Sequence, residues 1–446
     1  MGESVILEVR PSPGLKGTVS VPGDKSISHR AAILGALAQG ETVIDGFLES
    51  DDCLTTLHCL SLLGVSIRQL GPGAYSISGR GGLGFEEPGD VLHCGNSGTT
   101  LRLLTGLLAS RPFFSVLTGD ESLRSRPMAR VIEPLESMGA RICGRVKNTR
   151  APLGILGTKD LQGISYVLPT ASAQVKSAIL LAGLTAAGET TIQEPAPSRN
   201  HTELMLQHFG VPVRVRGLDI TLEGGVLPKG STIKVPGDIS SAAFPMVAAA
   251  IVPDSDVVIE NVGINPTRSG ILDVLQAMGA DITVCGAELD GEPRASIRIR
   301  SSKLRGTRVE GAIIPTLIDE LPAIAVAAAY AQGTTIIRNA AELRVKECDR
   351  ISAVAQELAQ LGVDITEQPD GWIIRGGSEI KGGRACGFGD HRVIMALAVL
   401  GLGSSRPVSI SGAEAMGISF PGFASLFRQL GADMEEMTPN HSSTCR

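Results

Sequence analysis

Leu60-Ser-Leu-Leu-Gly-Val-Ser-Ile67 combines the end of a helix with the start of a strand. Its glycine follows the last apolar helical position, where a left-handed C-cap is favoured, and the alternation after it is typical of a strand. The glycines of such segments recur roughly every 70–80 residues, which indicates an internal repeat. The pattern occurs at Leu60–Ile67, Leu135–Ile142, Leu206–Val213, Leu275–Ile282, Leu358–Ile365 and Phe427–Met434.

Each repeat contains a second predicted helix that is rich in alanine and other small residues. Several of these helices precede a glycine and a β-branched run, such as Gly188-Glu-Thr-Thr-Ile192, that favours a strand. We therefore predict an α+β (α/β) module with two helices and several short strands. The predicted Ala-rich helices are Ala31–Ala38, Thr100–Ala109, Val175–Ala187, Ala242–Ile251, Leu321–Ala331 and Val393–Leu402.

The length of 446 residues favours two domains, since single cores stop growing near about 250–300 residues. Val21-Pro-Gly-Asp-Lys-Ser26 recurs as Val235-Pro-Gly-Asp-Ile-Ser240. Pro-Gly interrupts regular structure and Asp can cap the following helix, so both segments suit a crossing between domains. We predict one domain of three repeats at 23–237 and a second at 1–22 plus 238–446, with hinges near 22–23 and 237–238. The alternative is a chance similarity of two turns.

Composition restricts the possible functions. A net charge of −6 gives no general attraction for nucleic acid, so an anionic ligand would need a local basic cluster. The eight cysteines, Cys445 among them, include no C-x-x-C pair and are expected to be free thiols in a reducing compartment. Apolar runs fall far short of the roughly 20 residues of a membrane helix, and Met1–Val5 lacks the basic start of a signal peptide. We expect a cytoplasmic protein.

Cations and hydroxyls are concentrated where predicted helices begin. A cation in the first turn opposes the helix dipole, so it destabilises the helix unless an anion binds there. If the Ala-rich helices share an orientation, their N-termini face a common space between the domains. The segments are Lys25-Ser26-Ile-Ser-His-Arg30, Gly95-Asn-Ser-Gly98-Thr99 with Arg102, Arg126-Pro127, Ser172-Ala173-Gln174, Asp319-Glu320, Lys346-Glu347-Cys-Asp-Arg350 and Asp390-His391-Arg392.

Each segment also has an ordinary structural interpretation. Lys25 and Arg30 could form a solvated face, and Ser172 or Asp319 could simply be helix N-caps. Residues 346–350 could be a surface network of i, i+4 pairs. The histidine of 390–392 could be a buried core residue. Arg126 stands directly before a proline at a predicted helix start, which favours a ligand role.

At these positions the sequence closely resembles the 5-enolpyruvylshikimate-3-phosphate synthase family over roughly residues 5–435. The resemblance implies a two-domain inside-out α/β barrel with six βαβαββ units, three per domain, which closes over its ligands. The motifs that carry it are Pro22-Gly-Asp-Lys-Ser-Ile-Ser-His-Arg30, Gly95-Asn-Ser-Gly-Thr99, Ser172-Ala-Gln174, Ser198-Arg-Asn-His-Thr-Glu203, Arg344-Val-Lys-Glu-Cys-Asp-Arg350 and Asp390-His-Arg392.

The resemblance also implies transfer of the enolpyruvyl group from phosphoenolpyruvate to the 5-hydroxyl of shikimate-3-phosphate. The reaction is an addition and elimination that releases phosphate, with Asp319 as base and Glu347 or Lys25 as acid. We expect a monomer that needs no metal or organic cofactor and binds neither nucleic acid nor membrane. Shikimate-3-phosphate would contact Lys25, Ser26, Arg30, Ser172, Ala173, Gln174, Arg199, Asp319 and Lys346. Phosphoenolpyruvate would contact Lys25, Gly98, Arg126, Gln174, Arg350 and Arg392.

The chain departs from the family pattern at three positions. Ile418 replaces a lysine that approaches phosphoenolpyruvate in many relatives, and Glu342 stands where some have Asn. Gly98 keeps the small residue associated with access of the inhibitor glyphosate, although Leu103 replaces a common Pro, so we predict inhibition by glyphosate. Two alternatives are a UDP-N-acetylglucosamine enolpyruvyl transferase, whose usual loop cysteine is missing from 122–127, and a non-catalytic anion-binding repeat scaffold.

Overall fold

The computed structural model describes residues 5–82, 84–289 and 291–438, so Cys445 lies outside the described residues. Its strands are β1 (Ile6–Val9), β2 (Lys16–Ser20), β3 (Gln39–Asp45), β4 (Ser66–Gly71), β5 (Ala74–Arg80), β6 (Leu92–His93), β7 (Phe114–Thr118), β8 (Arg141–Gly144), β9 (Arg150–Leu156), β10 (Ser165–Val167), β11 (Glu189–Gln193), β12 (Val213–Arg216), β13 (Asp219–Glu223), β14 (Thr232–Lys234), β15 (Asp256–Gly263), β16 (Asp281–Glu288), β17 (Arg294–Arg300), β18 (Arg308–Val309), β19 (Gly333–Ile337), β20 (Asp364–Gln368), β21 (Gly371–Gly376), β22 (Gly383–Cys386), β23 (Val408–Ser411) and β24 (Met434–Met437).

The helices are interspersed with these strands along the chain. They are α1 (Lys25–Leu37), α2 (Asp51–Leu62), α3 (Gly98–Ala109), α4 (Glu121–Ser125), α5 (Ala129–Ser137), α6 (Arg145–Asn148, a short turn), α7 (Ala173–Gly183), α8 (His201–His208), α9 (Ile239–Ile251), α10 (Gly270–Ala277), α11 (Leu321–Tyr330), α12 (Arg350–Gln360), α13 (His391–Leu402) and α14 (Phe423–Gln429). Short 3₁₀ helices occupy Gly311–Thr316, Ala341–Val345 and Ala413–Ile418.

The strands of the described residues form six four-stranded sheets with one shared topology. In the sheet β6-β7-β9-β8, the edge strand β6 is parallel to β7, and β9 is antiparallel to both β7 and β8. Apart from the short α4 and α6, the elements follow each other along the chain as β6, α3, β7, α5, β8 and β9. This is the βαβαββ unit that the resemblance implies, and it confirms the α/β repeat.

Three of the sheets are completed by strands that are distant in sequence, and one of these strands, β2, joins β15 in parallel. β14 joins β3 in parallel, and it supplies the first strand of the repeat that contains α1 and α2. β1, near the start of the chain, pairs antiparallel with β23 and β24 and supplies the last strand of the final repeat. The repeats are therefore circularly permuted relative to the chain.

The six predicted cap glycines are confirmed. Each follows the second of the two main helices of its repeat and has a positive φ, where a residue with a Cβ would be strained. These glycines are Gly64, Gly139, Gly210, Gly279, Gly362 and Gly431, with φ between 79° and 104°. The same backbone feature thus ends each of these helices and directs the chain into the next strand.

The chain divides into two compact units, 23–235 and 1–22 with 236–446. In the second unit the Ala-rich helices α9, α11 and α13 pack against one another and are almost entirely buried. In the first unit α3 packs closely on α7, because a Cβ at Gly106 would lie 2.2 Å from the carbonyl oxygen of Ala178. The sheets cover these helices and keep one face exposed.

One predicted helix is shorter than expected. We predicted a helix at Val175–Ala187, but α7 ends at Gly183. A Cβ at Gly183 would lie 3.0 Å from the Thr190 side chain, so the helix ends where it approaches the next strand closely. Among the described residues, no helix is long and apolar enough to cross a membrane.

Candidate active site

Helix α1 begins at Lys25 because Asp24 caps it. Oδ1 of Asp24 accepts a hydrogen bond from the backbone N–H of Ile27 at 2.8 Å. The Lys25 side chain stays partly exposed, and its Nζ lies 2.6 Å from Oδ2 of Asp52 on α2. Sequence analysis did not single out Asp52, an acidic residue in the first turn of α2. The adjacent Ser26 is half-buried.

Arg30 connects three helices of the same unit. Its Nε donates to Oγ1 of Thr202 on α8 at 2.7 Å, and its Nη2 donates to Oγ of Ser177 on α7 at 2.8 Å. A third bond, from Nη1 to the carbonyl of Ser26, measures 3.0 Å. Only 5% of Arg30 is exposed, so the solvated-face interpretation is wrong for this residue. Arg30 holds the N-terminal ends of α1, α7 and α8 together.

Gly98, the first residue of α3, lies beside two guanidinium groups. A Cβ at Gly98 would lie 2.9 Å from Nη1 of Arg102 and 3.3 Å from Nη1 of Arg126. The Gln174 side chain, in the first turn of α7, accepts from Arg102 and donates to Oγ1 of Thr99, the latter at 2.9 Å. Three predicted site residues, Gly98, Arg126 and Gln174, are therefore gathered around the start of α3.

The positive charges in this region are crowded. Burial, together with the nearby charges of Arg130 and Arg126, lowers the pKa of Arg102 to about 10. Arg102 remains protonated at neutral pH, so the region keeps a strong preference for an anion. Asn96 holds Arg126, since Oδ1 of Asn96 accepts from Nη2 of Arg126 at 2.6 Å.

Ser172 is the N-cap residue of α7, but its side chain makes no capping hydrogen bond. The N-cap interpretation therefore does not account for its hydroxyl group. Ala173 begins the helix, and Arg199 is half-buried just before α8. Behind these residues, the buried Nζ of Lys176 lies 2.8 Å from Glu194 and 2.7 Å from Glu203. These buried ion pairs support the loop that carries Arg199.

Asp319 is placed among cations of the second unit. The N-cap of α11 is Glu320, so the N-cap interpretation of Asp319 is wrong. Oδ1 of Asp319 lies 3.4 Å from Nη1 of Arg350 and 3.8 Å from Nζ of Lys346. Its backbone carbonyl accepts from Nη1 of Arg392 at 3.2 Å. The predicted base and three predicted cations thus lie together.

Arg350 is surrounded by carboxylates although its side chain is only 1% exposed. Its Nη2 lies 2.6 Å from Glu347 and its Nε 2.7 Å from Asp390, in addition to the contact with Asp319. Burial alone would lower the pKa of Arg350, but Glu347, Asp390 and Asp319 together raise it above the ordinary range. The surface-network interpretation is therefore wrong for Arg350, which is a permanent buried cation.

Glu347 is ionised in this arrangement. Burial disfavours its charged form, but Arg350 and His391 outweigh that effect and lower its pKa to about 2. A carboxylate with this pKa carries no proton to donate at neutral pH. Glu347 can act as an acid only when an incoming anion offsets the charge of Arg350.

Two of the three positions that depart from the family pattern, Glu342 and Ile418, also lie in this unit. Glu342 binds Lys346, with Oε1 2.9 Å from Nζ, and so competes with any ligand of that lysine. Ile418 is half-buried at the end of a 3₁₀ helix. Sequence analysis also missed the role of Glu320, a buried carboxyl that accepts from Ser240 in the second Val-Pro-Gly-Asp motif. Burial raises the pKa of Glu320.

Comparison with known proteins identifies the family. The family model described as EPSP synthase (3-phosphoshikimate 1-carboxyvinyltransferase) matches residues 9–427. The chain belongs to the EPSP synthase family. Among its relatives, the 3-phosphoshikimate 1-carboxyvinyltransferase of Desulforamulus reducens is 53% identical over 95% of this chain and 99% of its own. The protein of that name from Synechococcus elongatus is 54% identical over 94% of each chain.

A solved structure supports the same assignment. The EPSP synthase from Acinetobacter baumannii matches with a TM-score of 0.91 at 46% identity, over 97% of this chain and all of that chain. Family membership makes the chain an enolpyruvyl transferase of the shikimate pathway. The alternative predictions, a nucleotide-sugar transferase and a non-catalytic scaffold, are not supported.

Proposed function

We propose that the chain transfers the 1-carboxyvinyl group of phosphoenolpyruvate to the 5-hydroxyl of shikimate-3-phosphate and releases phosphate. The observation that carries the proposal is the position of Asp319, a carboxylate within 3.4 Å of Arg350 and 3.8 Å of Lys346. A base in contact with cations suits a reaction in which an alcohol must lose its proton beside an anionic partner.

Shikimate-3-phosphate is assigned to residues at the starts of α1, α7 and α8 in one unit and to two residues of the other. Arg30 supports this assignment because its hydrogen bonds fix the three helix ends relative to one another. Helix N-termini and cations together favour phosphate and carboxylate groups. The assigned residues are Lys25, Ser26, Arg30, Ser172, Ala173, Gln174, Arg199, Asp319 and Lys346.

Phosphoenolpyruvate is assigned to several cations because it carries both a phosphate and a carboxylate. Each cation 4 Å from an anionic charge contributes about 4 kcal/mol at an effective dielectric constant of 20. Repulsion between the two anionic substrates is of similar size per charge pair, so one cation could not bring them together. The assigned residues are Lys25, Gly98, Arg126 and Gln174 in one unit and Arg350 and Arg392 in the other.

The proton transfers follow from this arrangement. The 5-oxygen attacks C2 of phosphoenolpyruvate and gives its proton to Asp319, while an acid protonates C3 to form a methyl group. The resulting tetrahedral intermediate expels phosphate as C3 returns a proton, which restores the double bond. Substrate anions beside Arg350 and Lys346 reduce the positive field on Asp319 and make it a stronger base.

Lys25 and Glu347 are the candidates for the acid. Glu347 has a pKa of about 2 because Arg350 outweighs the effect of burial, so it must first gain a proton. Binding of phosphoenolpyruvate beside Arg350 would favour that gain, since an added anion raises the pKa of a nearby carboxyl. Glu347→Gln and Lys25→Met distinguish the two: loss of the acid should slow proton exchange at C3, whereas loss of a binding group should mainly raise KM.

We further propose that the chain acts as a monomer in the cytoplasm. The assigned residues already include the cations, the base and the candidate acids that the reaction needs, so no second copy is required. The cysteines of the described residues are free thiols, as in a reducing compartment. Size-exclusion chromatography with light scattering tests the first point. A measured mass near twice the 46.4 kDa of one chain would contradict it.

The function is tested by measuring phosphate release from phosphoenolpyruvate with each candidate acceptor. We expect release with shikimate-3-phosphate and none with UDP-N-acetylglucosamine. The product should carry an enol ether at the 5-oxygen, which nuclear magnetic resonance identifies. Absence of release with shikimate-3-phosphate, from protein with a cooperative unfolding transition, would overturn the proposal.

A further inference from the structure

The loop between β8 and β9 has an unusual left-handed backbone. Val146, Lys147 and Asn148 have φ values of 51°, 54° and 62°. Such values are uncommon outside glycine, and for a β-branched residue like valine they indicate strain. The side chains of Val146 and Lys147 are exposed, so packing in the core does not hold this conformation.

Side-chain hydrogen bonds hold the loop instead. Oδ1 of Asn148 accepts from the backbone N–H of Gly144 at 2.8 Å, and Oγ1 of Thr149 donates to the carbonyl of Val146 at 2.6 Å. The backbone N–H of Thr149 also donates to the carbonyl of Arg145 at 3.0 Å. A strained backbone persists only where its surroundings fix it, and such positions are frequent at functional sites.

The repeat fold does not require this loop. Equivalent hairpins in three of the other repeats need only two residues: Pro72-Gly73 between β4 and β5, Gly217-Leu218 between β12 and β13, and Pro369-Asp370 between β20 and β21, whereas five residues separate β16 from β17. The β8–β9 loop uses residues 145–149 for the same connection. Its three consecutive non-glycine residues with positive φ therefore need an explanation within its own repeat.

The loop fixes the segment that carries Arg126. The backbone carbonyl of Thr149 accepts from the N–H of Met128 at 2.7 Å. On the other side, the N–H of Arg126 donates to the carbonyl of Leu123 at 3.1 Å. Arg126-Pro127-Met128 is thus held at both ends, by the end of α4 and by the left-handed loop.

We propose that the left-handed loop 146–149 is a positioning element for Arg126, with Asn148 as its key side chain. The loop positions the carbonyl oxygen of Thr149, which accepts the hydrogen bond from the N–H of Met128. This bond keeps the Arg126 segment in place and the Arg126 side chain beside Gly98. This inference rests on the proposed assignment of Arg126 to phosphoenolpyruvate. Misplacement of a binding group by about 1 Å can reduce activity by up to about 100-fold.

The test compares three variants in steady-state kinetics and thermal unfolding. Asn148→Ala removes the bond to Gly144, and we expect KM for phosphoenolpyruvate to rise about tenfold or more while KM for shikimate-3-phosphate stays unchanged. Asn148→Asp keeps the acceptor for Gly144 and loses only the long 3.4 Å bond from Nδ2 to the carbonyl of Ile142, so it should restore most of the affinity. Val146→Gly relieves the strain without opening the loop, so it should raise the unfolding midpoint and leave both KM values unchanged.

Gly217→Ala is the matched control. Gly217 has a φ of 61° in another hairpin of the same unit, and nothing lies within 4 Å of an added Cβ. This variant should lower the unfolding midpoint through backbone strain alone and leave KM for phosphoenolpyruvate unchanged. If Asn148→Ala behaves like this control, the loop has only a structural role and the inference is wrong.

Arg126→Ala separates this inference from the proposed function. If Arg126→Ala raises KM for phosphoenolpyruvate but Asn148→Ala does not, the site assignment stands and the positioning role is rejected. If neither substitution changes that KM, the assignment of Arg126 is itself rejected, and the inference fails with it.

Discussion

Nε of Arg350 lies 2.7 Å from Oδ2 of Asp390, and both side chains are almost completely buried. The other oxygen of Asp390 accepts from the backbone N–H of Arg392 at 2.9 Å and caps α13. One carboxylate therefore orients two of the cations assigned to phosphoenolpyruvate. Its position depends on the packing of α12 beside α13, helices from neighbouring repeats.

Replacement of Arg350 by Met should destabilise the protein strongly. The substitution leaves buried Asp390 and partly buried Glu347 without their cation, and loss of one partner of a buried ion pair costs about 3–5 kcal/mol. Urea unfolding measures the loss. Arg375→Met is the matched control, since Arg375 forms an exposed pair with Asp364 that should contribute less than about 1 kcal/mol. Equal losses in both variants would contradict the buried network.

Replacement of Asp319 by Asn should lower kcat by about 100- to 10,000-fold, the usual contribution of a general base. Asparagine keeps the size of the side chain, and Arg350 retains Glu347 and Asp390, so the unfolding midpoint should change little. Phosphate release under saturating substrates is the measurement. A kcat within tenfold of the parent would exclude Asp319 as the base.

His29 should make stability depend on pH. Burial lowers the pKa of His29 to about 3, against the ordinary 6.5 of the unfolded chain. Between these values the unfolded state binds a proton that the folded state does not, so this contribution to stability falls as pH falls from 6.5 towards 3. Within this range the contribution of His29 to the free energy of unfolding falls by about 1.4 kcal/mol per pH unit.

His29→Gln tests this pH dependence, because glutamine can retain a bond to Thr56, which lies 2.7 Å from Nδ1, but does not titrate. The free energy of unfolding of the parent should fall more steeply than that of the variant between pH 6 and pH 4. Parallel curves would show that His29 is not buried in its neutral form.

Replacement of Glu342 by Gln should improve the binding of shikimate-3-phosphate. The Glu342 carboxylate lies 2.9 Å from Nζ of Lys346 and competes with the substrate for this lysine. An exposed ion pair of this kind contributes up to about 1 kcal/mol, so KM for shikimate-3-phosphate should fall by about two- to fivefold. Initial rates at varied shikimate-3-phosphate provide the measurement. An increase in KM would instead indicate that Glu342 itself binds the substrate.

Replacement of Gly98 by Ala should weaken the binding of phosphoenolpyruvate and of glyphosate. The added methyl group would meet Arg102 at 2.9 Å and Arg126 at 3.3 Å, and both guanidinium groups must move away. We expect KM for phosphoenolpyruvate to rise about tenfold, a change of about 1.4 kcal/mol in binding. The parent should be inhibited by glyphosate competitively with phosphoenolpyruvate, and an inhibition constant in the high millimolar range would contradict this expectation.

Much of the fold could be predicted from the sequence because one local rule is repeated. Gly64 and its equivalents end helices with a positive φ, and this signal is readable without tertiary structure. The cations at helix starts were also visible, since Lys25 and Arg350 stand in short polar segments before apolar helices. Their partners were not visible. Asp52 forms an ion pair with Lys25, and Glu320 accepts a hydrogen bond from Ser240, only because separate helices pack together in the fold.

The permuted repeats have a consequence for synthesis on the ribosome. The unit 23–235 contains all of its own strands, and its first sheet closes once β14 has emerged. In contrast, β1 and β2 are made first but must wait for β23 and β15, their partners hundreds of residues later. A nascent chain therefore carries both strands unpaired while the unit 23–235 is being made, and β1 stays unpaired until β23 emerges near the end of translation. These strand edges are the segments for which protection by a chaperone would matter most.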